Sequence, residues 1–201
     1  GIAGTALAAM GQEMVDLAIH IDEVNRKAEV VFGDSLPKVT QAAEDNANAI
    51  GLTTSAYLEL ASAQGVTFQA LGFTQDAAAA LSPQILELAD GLADLSTSKL
   101  NTAQAAAVLQ GAIQGNVKGL SALGVPVKLS KDELKSLSEE MQSTGLFTAA
   151  QADSMAALQL VTEQLGPALD GLAKKQKSLA DRTDETNAKL RQAKEDFAGT
   201  D

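Results

Sequence analysis

The chain contains no cysteine. Disulfide frameworks, thiolate nucleophiles and Cys-ligated zinc are therefore excluded, and the composition is compatible with a reducing compartment. Aromatics are nearly absent, with five Phe, one Tyr and no Trp. A carbohydrate cleft with aromatic sugar platforms is hard to build from so few. Basic charge is in deficit, because 15 Lys and Arg face 26 Asp and Glu for a formal net charge of −11. A nucleic-acid binder shows a basic face to the phosphates, so this balance has the wrong sign. It also opposes tight adhesion to anionic membrane surfaces. Apolar runs are no longer than the five residues Ala77 to Leu81, far short of the ~20 that a spanning helix needs. The start, Gly1-Ile2-Ala3-Gly4, carries neither an initiator Met nor a basic n-region, and reads as an excised boundary or a processed end.

What the chain does have is alanine, leucine and glutamine, helix formers with small or slim side chains. A core of Ala and Leu draws helices close together but buries little area per residue, so modest stability is expected. The charge deficit is uneven. Residues 1–50 carry 3 basic and 8 acidic residues, whereas residues 151–201 carry 7 and 9, because Lys174, Lys175, Lys177, Arg182, Lys189, Arg191 and Lys194 gather there.

The strongest periodic signal opens the chain. Ala3, Leu7, Met10, Met14, Leu17, Ile21, Val24, Ala28 and Val31 alternate steps of 4 and 3, a heptad seam of about four heptads. The seam fits either a helix packed on its own domain or one that self-associates. Gly33-Asp34-Ser35 stops this helix, and Pro37 suits the first turn of the next, which is expected to run to Ile50 with Gly51 as its terminator. Thr53 or Thr54 caps a third helix ending near Gly65. Thr74 caps a fourth that runs to Leu95, where Pro83 predicts a kink or a break. Asn101 with Gln104 opens a fifth helix to Gln114, and a short one follows to Leu123. Gly124-Val125-Pro126-Val127 is expected to be extended. Ser130 with Glu133, and Thr148 with Gln151, open two more helices. The last is expected to continue toward the C-terminus with a possible kink at Gly166-Pro167. From Gly171 to Phe197 the sequence is polar and charged. Its seam of Leu172, Leu179, Leu190 and Phe197 is weakened by Gln176, Thr183 and Thr186, which predicts a solvated helix that bundles with a partner's help.

The expected fold is all-α, a multi-helix bundle with long amphipathic or coiled-coil-prone helices at both ends. The expected organisation is a heptad helix over 1–32, a compact helical core over 33–127, further helices over 128–170, and a charged helix or linker over 171–201.

No catalytic, cofactor-binding or metal-binding residue is expected. The single histidine, His20, sits beside the apolar seam, where a lone His serves packing or surface. The acid pairs Asp22-Glu23, Glu44-Asp45, Asp132-Glu133 and Glu139-Glu140 are sequence neighbours, which point apart on a helix and form no cage. Gly111, Gly115 and Gly119 are spaced without a following Gly-Lys-Ser/Thr, so close packing and turns account for them better than a phosphate loop.

A set of ordered segments carries the remaining information. They are Val31-Phe32-Gly33-Asp34-Ser35, Ala47 to Leu52, Ala56 to Ser62, Gly72 to Ala78, Leu88 to Leu95, Ala105 to Gly115 and Leu120 to Val125. In order and spacing this set, over residues 30–127, resembles the helical core region of phage tail tape measure proteins. Leu146 to Ala152 and Leu160 to Leu165 resemble the next part of that pattern more loosely. The resemblance implies a structural role: a helical protein packed in a few copies inside the growing tail tube, setting tube length and leaving at infection to assist DNA delivery. It implies the tail tube protein, tail assembly chaperones and other copies of itself as partners, with no direct nucleic-acid binding and no membrane span in this segment. It implies a location in the tail tube lumen of the virion, and in the host cytoplasm during assembly. Two other classes stand beside it. One is a helical protein-interaction or adhesion module, docking through the heptad seam. The other is a cell-wall hydrolase domain of the sort carried within some tape measure chains, for which the catalytic constellation is missing. A single continuous helix of this chain would span roughly 300 Å. A compact fold would have a radius of gyration near ~17 Å. The many Gly and Pro breakers favour the compact form for the middle.

Overall fold

A computed structural model describes residues 2–96, 99–116, 118–122, 127 and 129–173, with side-chain surroundings from 13 to 167 apart from 121 and 122. Helix α1 spans Ile2–Phe32, the length that its sustained period predicts. Its seam turns inward along the chain: Met14, Leu17 and Ile21 are half-buried, and Val24, Ala28 and Val31 are buried. The side chains of Ala3, Leu7 and Met10 lie outside the described residues.

Gly33, at φ +51, ends α1 in the left-handed region that lacks a penalty only for glycine. A 3-10 turn over Gly33–Ser35 leads into α2, Leu36–Asn46, with Pro37 in its first turn. The expected run to Ile50 divides: the α-helix closes at Asn46 and tightens to a 3-10 turn over Ala47–Ile50 before Gly51. Helix α3, Thr54–Ala70, is capped by Thr53, whose Oγ1 accepts the Ala56 amide at 3.1 Å.

Two expected interruptions do not occur. α3 does not end near Gly65 but continues to Ala70. Gly65 is there for space: a Cβ at that position would lie 2.6 Å from both Phe32 Cε1 and Val31 Cγ1, so the glycine lets α1 approach. Nor does Pro83 break α4, which spans Gln75–Leu95 as one helix. Proline withholds one N–H from the helix ladder, the one that would reach the Ala79 carbonyl. Burial of Ala79, Ser82, Ile85 and Leu86 clamps the helix on either side of the proline.

Helix α5, Thr102–Ile113, opens on the expected capping box of Asn101 and Gln104. It is followed by the short α6, Lys118–Ala122. The expected extended stretch falls on 124–126, outside the described residues, while Val127 is buried. Helix α7, Lys131–Ser143, is capped by Ser130, and α8, Ala149–Ala173, by the reciprocal pair Thr148 and Gln151. α8 passes Gly166-Pro167 without interruption. Residues 174–201, which hold most of the expected charged terminal helix, lie outside the described residues. Among the described residues the fold is all-helical, without strands.

α3 is the central helix, packed against α1, α2, α4 and α5. It is buried around most of its circumference, which explains why its sequence shows little amphipathic pattern. Specific bonds fix the directions. Gln69 Nε2 donates to the Val31 carbonyl, so α3 ends where α1 ends. His20 faces Glu59, so the two helices run parallel. Gln110 Nε2 donates to Thr67 Oγ1, setting α5 parallel to α3 with α4 antiparallel between them. Gln151 Nε2 donates to the Gly72 carbonyl at 2.7 Å, which starts α8 at the α3–α4 turn. From there α8 runs back along α4 and α5. One apolar core draws on α1 from Val24, on α2 to α6, and on Leu158, Val161 and Leu165 of α8. Consequently α1 sets out from the same pole of the bundle at which α8 finishes.

Candidate functional site

The residues that sequence reading considered for chemistry are scattered over the surface. His20 is about half exposed, and its Nε2 stands 3.8 Å from Glu59 Oε2. The two belong to neighbouring helices at the rim and form a surface pair. Asp22 accepts from Arg26 at 2.5 Å, one turn along the same helix. Glu44, Asp45, Asp132, Glu133, Glu139 and Glu140 are all exposed. Among the described residues no group of three or more His, Cys, Asp or Glu is placed to hold a metal ion. Their helices are also not long and apolar enough to cross a membrane.

The spaced glycines have structural work. Gly115, at φ +92, ends α5, with the Asn116 amide donating to the Gly111 carbonyl at 2.7 Å. Gly119 lets α6 approach Val108, whose Cγ1 would lie 3.2 Å from an added Cβ. No phosphate cradle results.

The structure does assemble one concavity that sequence reading missed. α5, α7 and α8 enclose a groove of about 500 Å³. Leu71, Ile113 and Ala157 line its apolar part, and Lys131 and Lys135 also line it. Beside them Ser138, buried on α7, donates its hydroxyl to Asp153 Oδ1 at 2.5 Å and accepts from Gln142 Nε2 at 3.0 Å. A serine next to a carboxylate alone lacks the imidazole that takes the proton in acyl transfer, and His20 sits on α1, against α3. The Ser138 to Asp153 bond therefore serves to tie α7 to α8. Nothing in the sequence signals it, since the residues stand 15 positions apart on separate helices.

Two electrostatic features complete the inventory. Asp76, in the first turn of α4, accepts from Lys38 and from Ser35 Oγ at 3.1 Å. Those bonds and the Lys38 charge hold its carboxyl below the usual carboxylate range, and they fasten α2 to the start of α4. Tyr57 is fully buried on α3, and desolvation, with Glu87 adding, pushes its phenol up. Its hydroxyl has no hydrogen-bond partner, nor have the buried Ser62 Oγ, Gln64 Oε1 and Asn48 Oδ1.

Comparison with known protein families, with curated proteins and with solved structures returns no match.

Proposed function

We propose that this chain is a non-catalytic structural segment of a phage tail tape measure protein, acting in tail-length determination and then in delivery of DNA. The observation that carries the reading is the ordered series of segments between Val31 and Val125, whose order and spacing resemble the core region of that family. The all-helical build among the described residues is what such a protein requires, and three pieces of the series fall on a helix or helix boundary: Val31 to Ser35 spans the α1–α2 junction, Ala56 to Ser62 falls in α3, and Gly72 to Ala78 spans the turn into α4. A sequence with no cysteine, a single histidine and few aromatics supports a mechanical rather than a chemical role.

Length determination by this segment would demand a second state. In the bundle, both long helices reach the same pole, so the folded unit adds little distance between its two ends. As continuous helix, the same residues would add ~1.5 Å each. The reading therefore places an extended helical form inside the tube and the bundle outside it. In-frame deletions within this segment of the parent gene, with tail length read by electron microscopy, test it. Shortening by roughly 1.5 Å per residue removed is the expected outcome. Unchanged tails with lost infectivity would sink the ruler reading and leave ejection or partner binding as the role.

A second reading, a helical interaction module, is favoured by one observation. Val15 and Ile19 of α1 are 54% and 53% exposed. Such a module would bind its partner with the tail absent.

A further inference from the structure

The outer face of α1 carries a pattern that mirrors itself. Ile19, Asp22, Glu23, Arg26, Lys27 and Val30 are all exposed, on the side of the helix turned away from the core seam of Val24, Ala28 and Val31. About the midpoint between Val24 and Asn25, Ile19 mirrors Val30, Asp22 mirrors Lys27, and Glu23 mirrors Arg26. An apolar residue therefore stands at the mirror position of an apolar one, and a base at that of each acid. Ile19 and Val30 are 53% and 78% exposed, so both ends of the pattern are bare apolar side chains.

One occupant suits such a face, an antiparallel second copy. A parallel copy in register would set Asp22 and Glu23 against themselves, and Arg26 and Lys27 likewise, which is unfavourable at close range. Turned end for end about the midpoint, the copy lays its Val30 on Ile19 and its Ile19 on Val30, with bases opposite acids between them. At 3.6 residues per turn, Asp22 and Arg26 lie one turn apart toward one flank of the stripe, and Glu23 and Lys27 toward the other. A twofold axis brings each flank against the same flank of the copy. Asp22 then faces the partner's Arg26, and Glu23 faces the partner's Lys27. The pairings within the chain leave room for this. Arg26 holds Asp22 at the exposed surface, where its guanidinium has donors left for a second carboxylate. Glu23 and Lys27 have no ion-pair partner among the described residues.

We propose that α1 pairs with α1 of a second copy of this chain, antiparallel, through Ile19, Asp22, Glu23, Arg26, Lys27 and Val30. The two bundles lie on the outer sides of the helix pair, because the core seam points away from it. The contact covers about three turns, roughly 17 Å at ~1.5 Å per residue. A helix pair this short buries less than the ~1,200 Å² of a standard interface, and each chain carries a net charge of −11. The dimer is therefore weak and forms at high protein concentration. The pairing rests on α1 alone and does not depend on the tape measure reading.

Sedimentation equilibrium of the full chain over rising concentration reads the association. The unmodified chain should pass from monomer to dimer. Asp22→Lys with Glu23→Lys makes the face basic throughout, and Arg26→Glu with Lys27→Glu makes it acidic throughout. Each double variant alone should dimerise roughly tenfold or more weakly, and an equimolar mixture of the two should regain the dimer, which a misfolded variant could not do. Orientation has its own readout, since the chain has no cysteine and every introduced thiol is unique. Ile19→Cys and Val30→Cys chains, mixed and mildly oxidised, should yield the mixed 19–30 disulfide in preference to either symmetric product. An unmodified chain that stays monomeric, a dimer unmoved by both reversals, a mixture that fails to regain it, or a dominant 19–19 product would each overturn the proposal.

Discussion

At the residue scale, two helical glycines of opposite meaning show how much the surroundings decide. Gly65 faces Phe32 and Val31 so closely that even a methyl group must displace them. Gly65→Val adds branching as well as bulk. It should cost about 3 kcal/mol, at the upper end of overpacking penalties, read as a lower urea midpoint at unchanged slope. Gly166 lies in α8 with nothing within 4 Å of an added Cβ. Gly166→Ala should therefore raise stability, but by less than the helix-propensity difference of about 1 kcal/mol, because the new Cβ precedes the Pro167 ring. Tyr57 makes a third case. Its buried hydroxyl lacks a partner, so Tyr57→Phe removes a desolvated polar group and should be neutral or stabilising by about 1 kcal/mol. The same residue governs alkaline behaviour. Folding raises the phenol above its ordinary value of 10.0, so the native state holds that proton more tightly than the unfolded chain does. The contribution is full below about pH 10 and declines above it, by up to ~1.4 kcal/mol per pH unit. As the only tyrosine, Tyr57 reports directly through tyrosinate absorbance, which should appear together with unfolding. In Tyr57→Phe that part of the alkaline loss should vanish.

At the element scale, helices differ in how much of themselves they bury. α3 buries nine residues and α4 seven, whereas α7 buries only Ser138. α7 packs chiefly on α8, through the Ser138 to Asp153 bond and half-buried residues such as Leu134 and Leu137. Local stability follows such burial. Native-state hydrogen exchange should find the α7 amides opening first and those of α3 and α4 last, and Ser138→Ala should accelerate α7 while leaving α3 unchanged. Equal protection of α7 and α3 would contradict this ranking. The caps were legible because each is local: Thr53, Thr74, Asn101, Ser130 and Thr148 meet their amide partners within three residues. The reasons that α3 passes Gly65 and that α4 is unbroken at Pro83 are not local. Gly65 gains its reason from α1, and Pro83 is tolerated because burial of Ala79, Ser82, Ile85 and Leu86 clamps the helix on both sides.

At the scale of the whole molecule, scattering separates the bundle from the extended helix that the proposed length-setting role demands. The isolated chain should give a radius of gyration somewhat above ~17 Å, the compact-domain value, because α1 projects past α3. A rod of ~300 Å would give several times that. The sequence by itself determined the helical class, the helix boundaries marked by caps and positive-φ glycines, and the exclusion of thiol chemistry. These follow from composition, and from interactions that reach only three or four residues along the chain. The tertiary structure alone decided that Gly65 serves a close approach, that α3 lies at the centre, that Ser138 meets Asp153, and that both long helices share one pole. Each of those depends on residues far apart in sequence, brought together by burial that no local period encodes.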